Sequence, residues 1–154
     1  MLNRPATGMG SDAGADARLR VMLILWGSFL MTIVMFFVVA LLARPERGAE
    51  ADAGDIPPLL YALAALGLSL VIASFAVKGA FYRRATEQGQ PAQLQTGFIL
   101  ALALCESAAL FGLVGLFVTG NDYAYALIAL GALGEALHFP RREQVMSAYY
   151  KQAL

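Results

Sequence analysis

Residues 97–119 read GFILALALCESAALFGLVGLFVT, an apolar stretch with a single charged side chain, Glu106. A helix of about 20 apolar residues spans the roughly 30 Å hydrocarbon core of a bilayer. Because lipid offers the backbone no hydrogen-bond partners, such a stretch is expected to be helical. The sequence therefore predicts a membrane-spanning helix with an acid near its midpoint.

Three further apolar stretches flank this one. Residues 21–43 contain no ionisable side chain, residues 59–80 are apolar up to Lys78, and the shorter residues 123–139 contain Glu135 and His138. The first stretch exceeds the roughly 7–15 apolar residues of a signal peptide, which favours a retained anchor over a cleaved leader. The sequence thus predicts an all-α membrane protein, with four transmembrane helices forming an antiparallel bundle over residues 18–140.

Composition and connectors support this division. The chain is 59% hydrophobic and 14% charged, whereas soluble domains have about 25% charged residues. Residues 1–17 are rich in Gly, Ala and Asp and are predicted to be disordered. Residues 44–58 and 81–96 form polar loops, and a tight turn at residues 120–122 makes the third and fourth helices antiparallel neighbours. The formal net charge of zero provides no basic face for nucleic acid, so the expected surroundings are a lipid bilayer.

The lysines and arginines predict the orientation of the bundle. Nine of them lie in the N-terminal segment, around the 81–96 loop or in the C-terminal segment, and two lie in the 44–58 loop. The positive-inside rule then places both termini in the cytoplasm, with residues 141–154 as a cytoplasmic tail. We expect a multi-pass protein of the cell inner membrane.

Small residues recur along the third helix in steps of four and three. They are Ala101, Cys105, Ala108, Gly112 and Gly115. The second helix has a similar line at Ala62, Ala65, Ser69, Ala73, Ala76 and Ala80. Close contact between small faces joins helices in lipid, which favours a tight hairpin of the second and third helices, although alanine-rich helices also show such lines by chance. The bulky first helix is predicted to be peripheral and to face lipid.

Glu106 is the primary candidate site residue. It lies nine residues after Gly97, about 14 Å along the helix and near the bilayer centre. Acids at this depth are costly and usually mark ion or proton pathways. The alternative is a permanently protonated side chain that joins helices by hydrogen bonding, with Ser69, Ser74 or Ser107 as the partner.

Glu135 and His138 are secondary candidates. They are three residues apart on one helical face and can therefore pair. One interpretation is the inner mouth of a proton path. The plainer interpretation is a helix end at the membrane interface, which Pro140 terminates. Lys78 is expected to extend to the headgroups, and Cys105 is expected to be a packing residue.

Enzymatic signatures are missing from the sequence. It contains no Ser–His–Asp set, no phosphate-binding glycine loop and no metal-ligand spacing, and its single cysteine excludes paired thiolates. The sequence thus predicts no catalytic residue, metal site or cofactor. An intramembrane hydrolase built on one Glu–His pair is a distant third hypothesis.

Residues 100–118, LALALCESAALFGLVGLFV, resemble the carboxylate helix of the proteolipid (c) subunit of rotary ATP synthases. Glu106 matches the acid of that family, and residues 111–114 match the aromatic-Gly-Leu-Val segment after it. The resemblance implies an acid that binds and releases a proton or sodium ion. The second helix departs from the family, because it has only Gly67 and Gly79 where the family has a glycine run, and Gln90-Pro91 lacks the family's preceding arginine.

Two hypotheses follow from these features. In the first, the protein is a proton- or ion-handling membrane subunit with Glu106 as the exchangeable carboxyl. In the second, it is a non-catalytic structural or assembly subunit of a larger membrane complex. Both imply a homo-oligomer or other membrane subunits as partners.

Overall fold

Five helices make up the parts of the chain that the computed structural model describes, residues 8–43, 56–88 and 90–150. They are α1 (Gly8–Leu42), α2 (Pro58–Glu87), α3 (Pro91–Thr119), α4 (Ala124–Leu137) and α5 (Arg142–Tyr150). Within these ranges no residue is in a strand. The described part of the chain is thus all-helical, as the sequence predicts.

Proline and glycine determine several helix ends. Pro58 and Pro91 are the first residues of α2 and α3, where a proline loses no intrahelical hydrogen bond. Gly120 ends α3 with a φ of 62°, and its N–H donates to the Leu116 carbonyl. This left-handed conformation favours glycine. The short turn that follows makes α4 antiparallel to α3, which confirms the predicted turn at residues 120–122.

Three helices are long and apolar enough to cross a membrane: Gly14–Leu42, Pro58–Glu87 and Ala92–Thr119. α4 is apolar but has only 14 residues. At 1.5 Å per residue it is about 21 Å long, shorter than the hydrocarbon core. α4 therefore differs from the fourth predicted span, residues 123–139, because the helix ends at Leu137.

α3 lies at the centre of the bundle and packs against α1, α2, α4 and α5. Its most extensive contact is with α2, which confirms the predicted hairpin. Gly115 faces Leu60 and Leu63 of α2, whereas Gly112 faces the backbone of Ile128 in α4. All five residues of the α3 small line are buried. This line therefore serves two neighbours, α2 and α4, rather than α2 alone.

The predicted partner line on α2 is not at this interface. Four of its residues are exposed and two are half-buried, whereas the buried residues of α2 are Leu60, Gly67, Val71, Ser74 and Ala85. An alanine side chain added at Gly67 would lie 3.6 Å from the Ala108 Cβ. The expectation that two small lines face each other is therefore wrong. Gly67 provides the close approach to α3, and the alanine line faces outward.

α1 is peripheral, as predicted. Many of its large apolar side chains are exposed, and it contacts α3, α4 and α5 but not α2 among the described residues. Two hydrogen bonds connect α1 to α4. The Trp26 Nε1–H donates to the Glu135 carbonyl oxygen at 2.9 Å, and the Tyr125 hydroxyl donates to the Ala40 carbonyl at 3.0 Å.

One end of the bundle, here called the basic end, carries Lys78, Arg83, Arg84, Arg141 and Arg142. An apolar cluster joins four helices at this end, and its buried residues are Ala15, Met22, Ala85, Leu94, Phe98, Leu102 and Val145. The first turns of α1 also contact α5 through an ion pair between Asp16 and Arg142, 3.1 Å long. The sequence predicts disorder for residues 1–17, whereas in the structure residues 8–17 form the first turns of α1; residues 1–7 lie outside the described part.

Candidate functional site

Glu135 lies deep in the bundle although it is close to the end of α4. A Cβ added at the preceding Gly134 would lie 3.0 Å from the Cys105 Sγ and 3.1 Å from a methyl group of Val71. The Glu135 carbonyl accepts the hydrogen bond from Trp26. These partners come from the central parts of α1, α2 and α3, so this turn of α4 lies in the interior of the bundle.

The Glu135 side chain is fully buried, and neither carboxyl oxygen has a hydrogen-bond partner among the described residues. Buried polar groups are almost always hydrogen-bonded, and exceptions often have a functional explanation. The Glu135 carboxyl is therefore the feature of this bundle that most needs a functional explanation.

His138 joins a buried polar cluster with Ser74 and Cys105. Its Nδ1 lies 2.7 Å from the Gly134 carbonyl and its Nε2 lies 3.4 Å from the Ser74 Oγ. The Ser74 hydroxyl is 2.6 Å from the Val71 carbonyl, and the Cys105 thiol donates to the Ser74 Oγ at 3.5 Å. All three side chains are completely buried.

This cluster can accommodate two protonation states of His138. With neutral imidazole, Nδ1–H donates to the Gly134 carbonyl and Nε2 accepts from the Ser74 hydroxyl. With a second ring proton, Nε2–H donates to the Ser74 Oγ, and the hydroxyl donates to the Val71 carbonyl instead. Because a hydroxyl is both donor and acceptor, rotation of one O–H bond is enough to satisfy either state.

Lys78 stabilises the point where α4 ends. Its Nζ donates to the His138 carbonyl at 3.3 Å and lies 5.7 Å from the centre of the Phe98 ring. The Phe75 ring packs on the imidazole with the ring centres 4.4 Å apart. Lys78 thus contacts the end of α4 at the basic end.

A cavity of about 450 Å³ lies next to this cluster. Its walls are formed by residues of α2, of the end of α4, of the α4–α5 connection and of α5: Phe75, Lys78, Gly79, Tyr82, Leu137, Phe139, Arg141 and Gln144. Four of these residues precede or follow His138 or contact it directly. The cavity is open to the outside of the bundle, and it reaches the residues on either side of the buried His138.

Glu106 occupies the middle of α3 and is half-buried. The described residues give it no hydrogen bond. The three serines considered as its partners bond to carbonyls of their own helices instead: Ser69 to Ala65, Ser74 to Val71 and Ser107 to Ala103. Glu106 therefore does not join helices through these serines.

The sequence makes Glu106 the primary candidate and Glu135 and His138 secondary ones. In the structure, Glu106 is half-buried and the two secondary candidates are the most deeply buried. Glu135 and His138 are both fully buried within the bundle, and His138 caps the end of α4, two residues before Pro140. Ser74 and Trp26 belong to the same site, and the sequence analysis did not assign them this role. Trp26 was a signal in the sequence, because it is the one tryptophan and lies within an otherwise aliphatic and phenylalanine-rich helix.

The fold and the site define a class, an all-helical protein with membrane-length helices around a buried acid and imidazole. No protein-family model, curated protein or solved structure matches the chain. The residues described by the structure include no group of three His, Cys, Asp or Glu side chains that could hold a metal ion.

Proposed function

We propose that the protein handles protons in a membrane, with Glu135 as the internal carboxyl and Glu106 as a second, more accessible one. The observation that carries this proposal is the Glu135 carboxyl, fully buried and without a hydrogen-bond partner among the described residues. A carboxylate charge in this position would lack compensation, so the group is stable there only when it carries a proton. Gain and loss of that proton must be coupled to a change in its surroundings.

The neighbours of Glu135 form a route for such a proton. The cavity leads from the basic end to His138, and His138 contacts Ser74, which accepts from Cys105 beside Glu135. Glu106 is half-buried in the middle of α3 and is thus the more accessible of the two acids. This arrangement supports exchange between an inner and an outer acid.

The proposal also covers the membrane in which the protein lies and its orientation there. We place four crossings in the cell inner membrane, with the basic end and both termini in the cytoplasm, on the distribution of lysines and arginines. The cavity would then open to the cytoplasm. The likeness of residues 100–118 to a c-subunit helix is in keeping with an exchangeable acid at Glu106, and the full burial of Glu135 is in keeping with a second one.

Proton flux into proteoliposomes tests this function. The full chain is reconstituted with an internal pH dye, and a potassium gradient with valinomycin drives proton uptake. We expect flux with the native protein and at least about a tenfold reduction in Glu135→Gln, as for loss of a proton-transfer group. Glu143→Gln, on the exposed face of α5, is the matched control and should keep full flux. Equal flux in native protein and Glu135→Gln would refute the proposal.

Labelling with dicyclohexylcarbodiimide provides a second readout that does not need flux. The reagent attacks protonated carboxyls in apolar surroundings, so we expect modification of Glu106 or Glu135 and none of Glu143. Peptide mass spectrometry identifies the modified residue. A labelling pattern confined to Glu143 and other exposed acids would contradict a protonated carboxyl inside the bundle.

One observation favours the second candidate function, a structural or assembly subunit. The outward face of α2 carries the small residues Ala62, Ala65, Ser69 and Ala76, all exposed. Small residues allow a further helix to approach closely in lipid. Purification in mild detergent tests this function, since a stable oligomer or partner complex that Ser69→Leu dissociates would support it, and a monomer would argue against it.

A further inference from the structure

The cavity at the basic end combines two cations with apolar walls. Lys78 and Arg141 both line it. Among the described residues, neither side chain forms an ion pair with a carboxylate, and the polar partner of Lys78 is the neutral His138 carbonyl. Two cations that line one cavity without a carboxylate attract an anion into it.

The polarity of the cavity changes with depth. Phe75 and Leu137 are large, exposed apolar residues on its inner part, whereas Tyr82, Arg141 and Gln144 line the part near the end of the bundle. Phe75 and Tyr82 are seven residues apart on α2, a separation of about 10 Å along the helix axis. A ligand that fits this gradient is anionic at one end and apolar at the other.

We propose that this cavity binds one anionic phospholipid, with its phosphate between Lys78 and Arg141 and the start of an acyl chain against Phe75 and Leu137. A volume of about 450 Å³ is in the range of small-molecule sites. Basic pockets between helices at the cytoplasmic side of membrane proteins are suited to anionic headgroups. The bound lipid would close the cavity beside His138. This inference does not depend on proton handling, because it needs only the charge and shape of the cavity.

Native mass spectrometry of the full-length protein in mild detergent tests the lipid site. Phosphatidylglycerol and phosphatidylcholine with identical acyl chains are compared, and inorganic phosphate is added in a separate experiment. We expect one phosphatidylglycerol retained per chain, at least about fivefold more tightly than phosphatidylcholine. Equal retention of the two lipids would overturn the proposal. Displacement of the lipid by inorganic phosphate at millimolar concentration would assign the site to a soluble anion instead.

Two variants separate the cavity from the general charge of the basic end. Arg141→Gln removes one of the two cations, and Arg83→Gln makes the same charge change at an exposed residue that does not line the cavity. We expect about fivefold weaker retention of phosphatidylglycerol in Arg141→Gln and unchanged retention in Arg83→Gln. Equal weakening in both variants would show a diffuse electrostatic effect and would overturn a defined site.

Gly79→Leu tests the shape of the cavity without a change in charge. Gly79 lines the cavity, and nothing lies within 4 Å of a Cβ added there, so the substitution can fold normally. The leucine side chain would occupy the space assigned to the lipid. We expect loss of the retained phosphatidylglycerol with an unchanged melting temperature in lipid-free detergent. Full retention in a folded Gly79→Leu protein would place the lipid elsewhere.

Discussion

At the scale of single residues, two glycines of α4 allow the candidate site to form. Gly131 and Gly134 face α3, where Cys105 and Ala109 are also small. Larger side chains at these positions would hold α4 away from α3 and would separate Glu135 and His138 from Ser74 and Cys105. The position of Glu135 thus depends on the absence of side chains at Gly131, one turn before it, and at Gly134, directly before it.

The first prediction concerns Gly131. An alanine Cβ there would lie 2.6 Å from the Cys105 carbonyl oxygen and 2.7 Å from the Ala109 Cβ. Because one of these atoms belongs to the backbone, relief requires movement of a helix, at a cost of about 1–3 kcal/mol. We expect Gly131→Ala to lower the melting temperature in detergent, measured by circular dichroism. Gly27→Ala on α1, where a Cβ meets no atom within 4 Å, is the control and should not destabilise the protein. Equal melting temperatures for both variants would contradict the close α3–α4 contact.

At the scale of helices, the outward orientation of the alanine line on α2 leads to a second prediction. Ala108 on α3 is completely buried, whereas Ala65 on α2 is exposed. The same change to leucine should therefore have different effects. We expect Ala108→Leu to destabilise the protein by about 1–3 kcal/mol through overpacking against Gly67, and Ala65→Leu to leave the melting temperature of the isolated chain unchanged. If Ala65→Leu destabilised the protein more than Ala108→Leu, the result would support the arrangement expected from the sequence, in which the two small lines face each other.

α5 provides a third prediction. Val145 is buried in the cluster at the basic end, and Glu143 on the same helix is exposed. An aspartate at residue 145 would place a charge without a partner among apolar side chains, which is strongly unfavourable. We expect Val145→Asp to detach α5 and to speed tryptic cleavage after Arg141 and Arg142, observed by mass spectrometry. Glu143→Asp should be cleaved at the native rate; comparable cleavage of the two variants would mean that α5 does not pack through Val145.

The sequence predicts some of these helices well and others poorly, for physical reasons. Length and apolar content identify α1, α2 and α3, because a bilayer sets both. Apolar periodicity cannot identify the inner face of α2, since lipid and a neighbouring helix are equally apolar. For the same reason the depth of Glu135 is not apparent from its place in residues 123–139. The first turns of α1 are polar and show no apolar run, and the burial of Ala15 in one cluster with the distant Val145 is not indicated by any local pattern.

At the scale of the whole molecule, the path of the chain from α3 to α5 determines on which side the cavity opens. Ala124 begins α4 in a cluster with Ala40, Leu60 and Leu116, at the end of the bundle opposite to the basic end. α5 packs in the cluster at the basic end. Between residues 124 and 142 the chain therefore runs from one end of the bundle to the other, although the α4 helix alone is shorter than a bilayer core.

The fourth prediction tests this path together with the orientation. Alkaline phosphatase, active outside the cytoplasm, and green fluorescent protein, fluorescent inside it, are fused after Asn121 and after Leu154 in separate constructions. Because nine of the eleven lysines and arginines lie on the side assigned to the cytoplasm, we expect phosphatase activity after Asn121 and fluorescence after Leu154. The same reporter active at both positions would mean that residues 124–142 do not cross the membrane. Reversed results would place the basic end outside and would direct the cavity beside His138 away from the cytoplasm, so any proton route would have to begin on the opposite side.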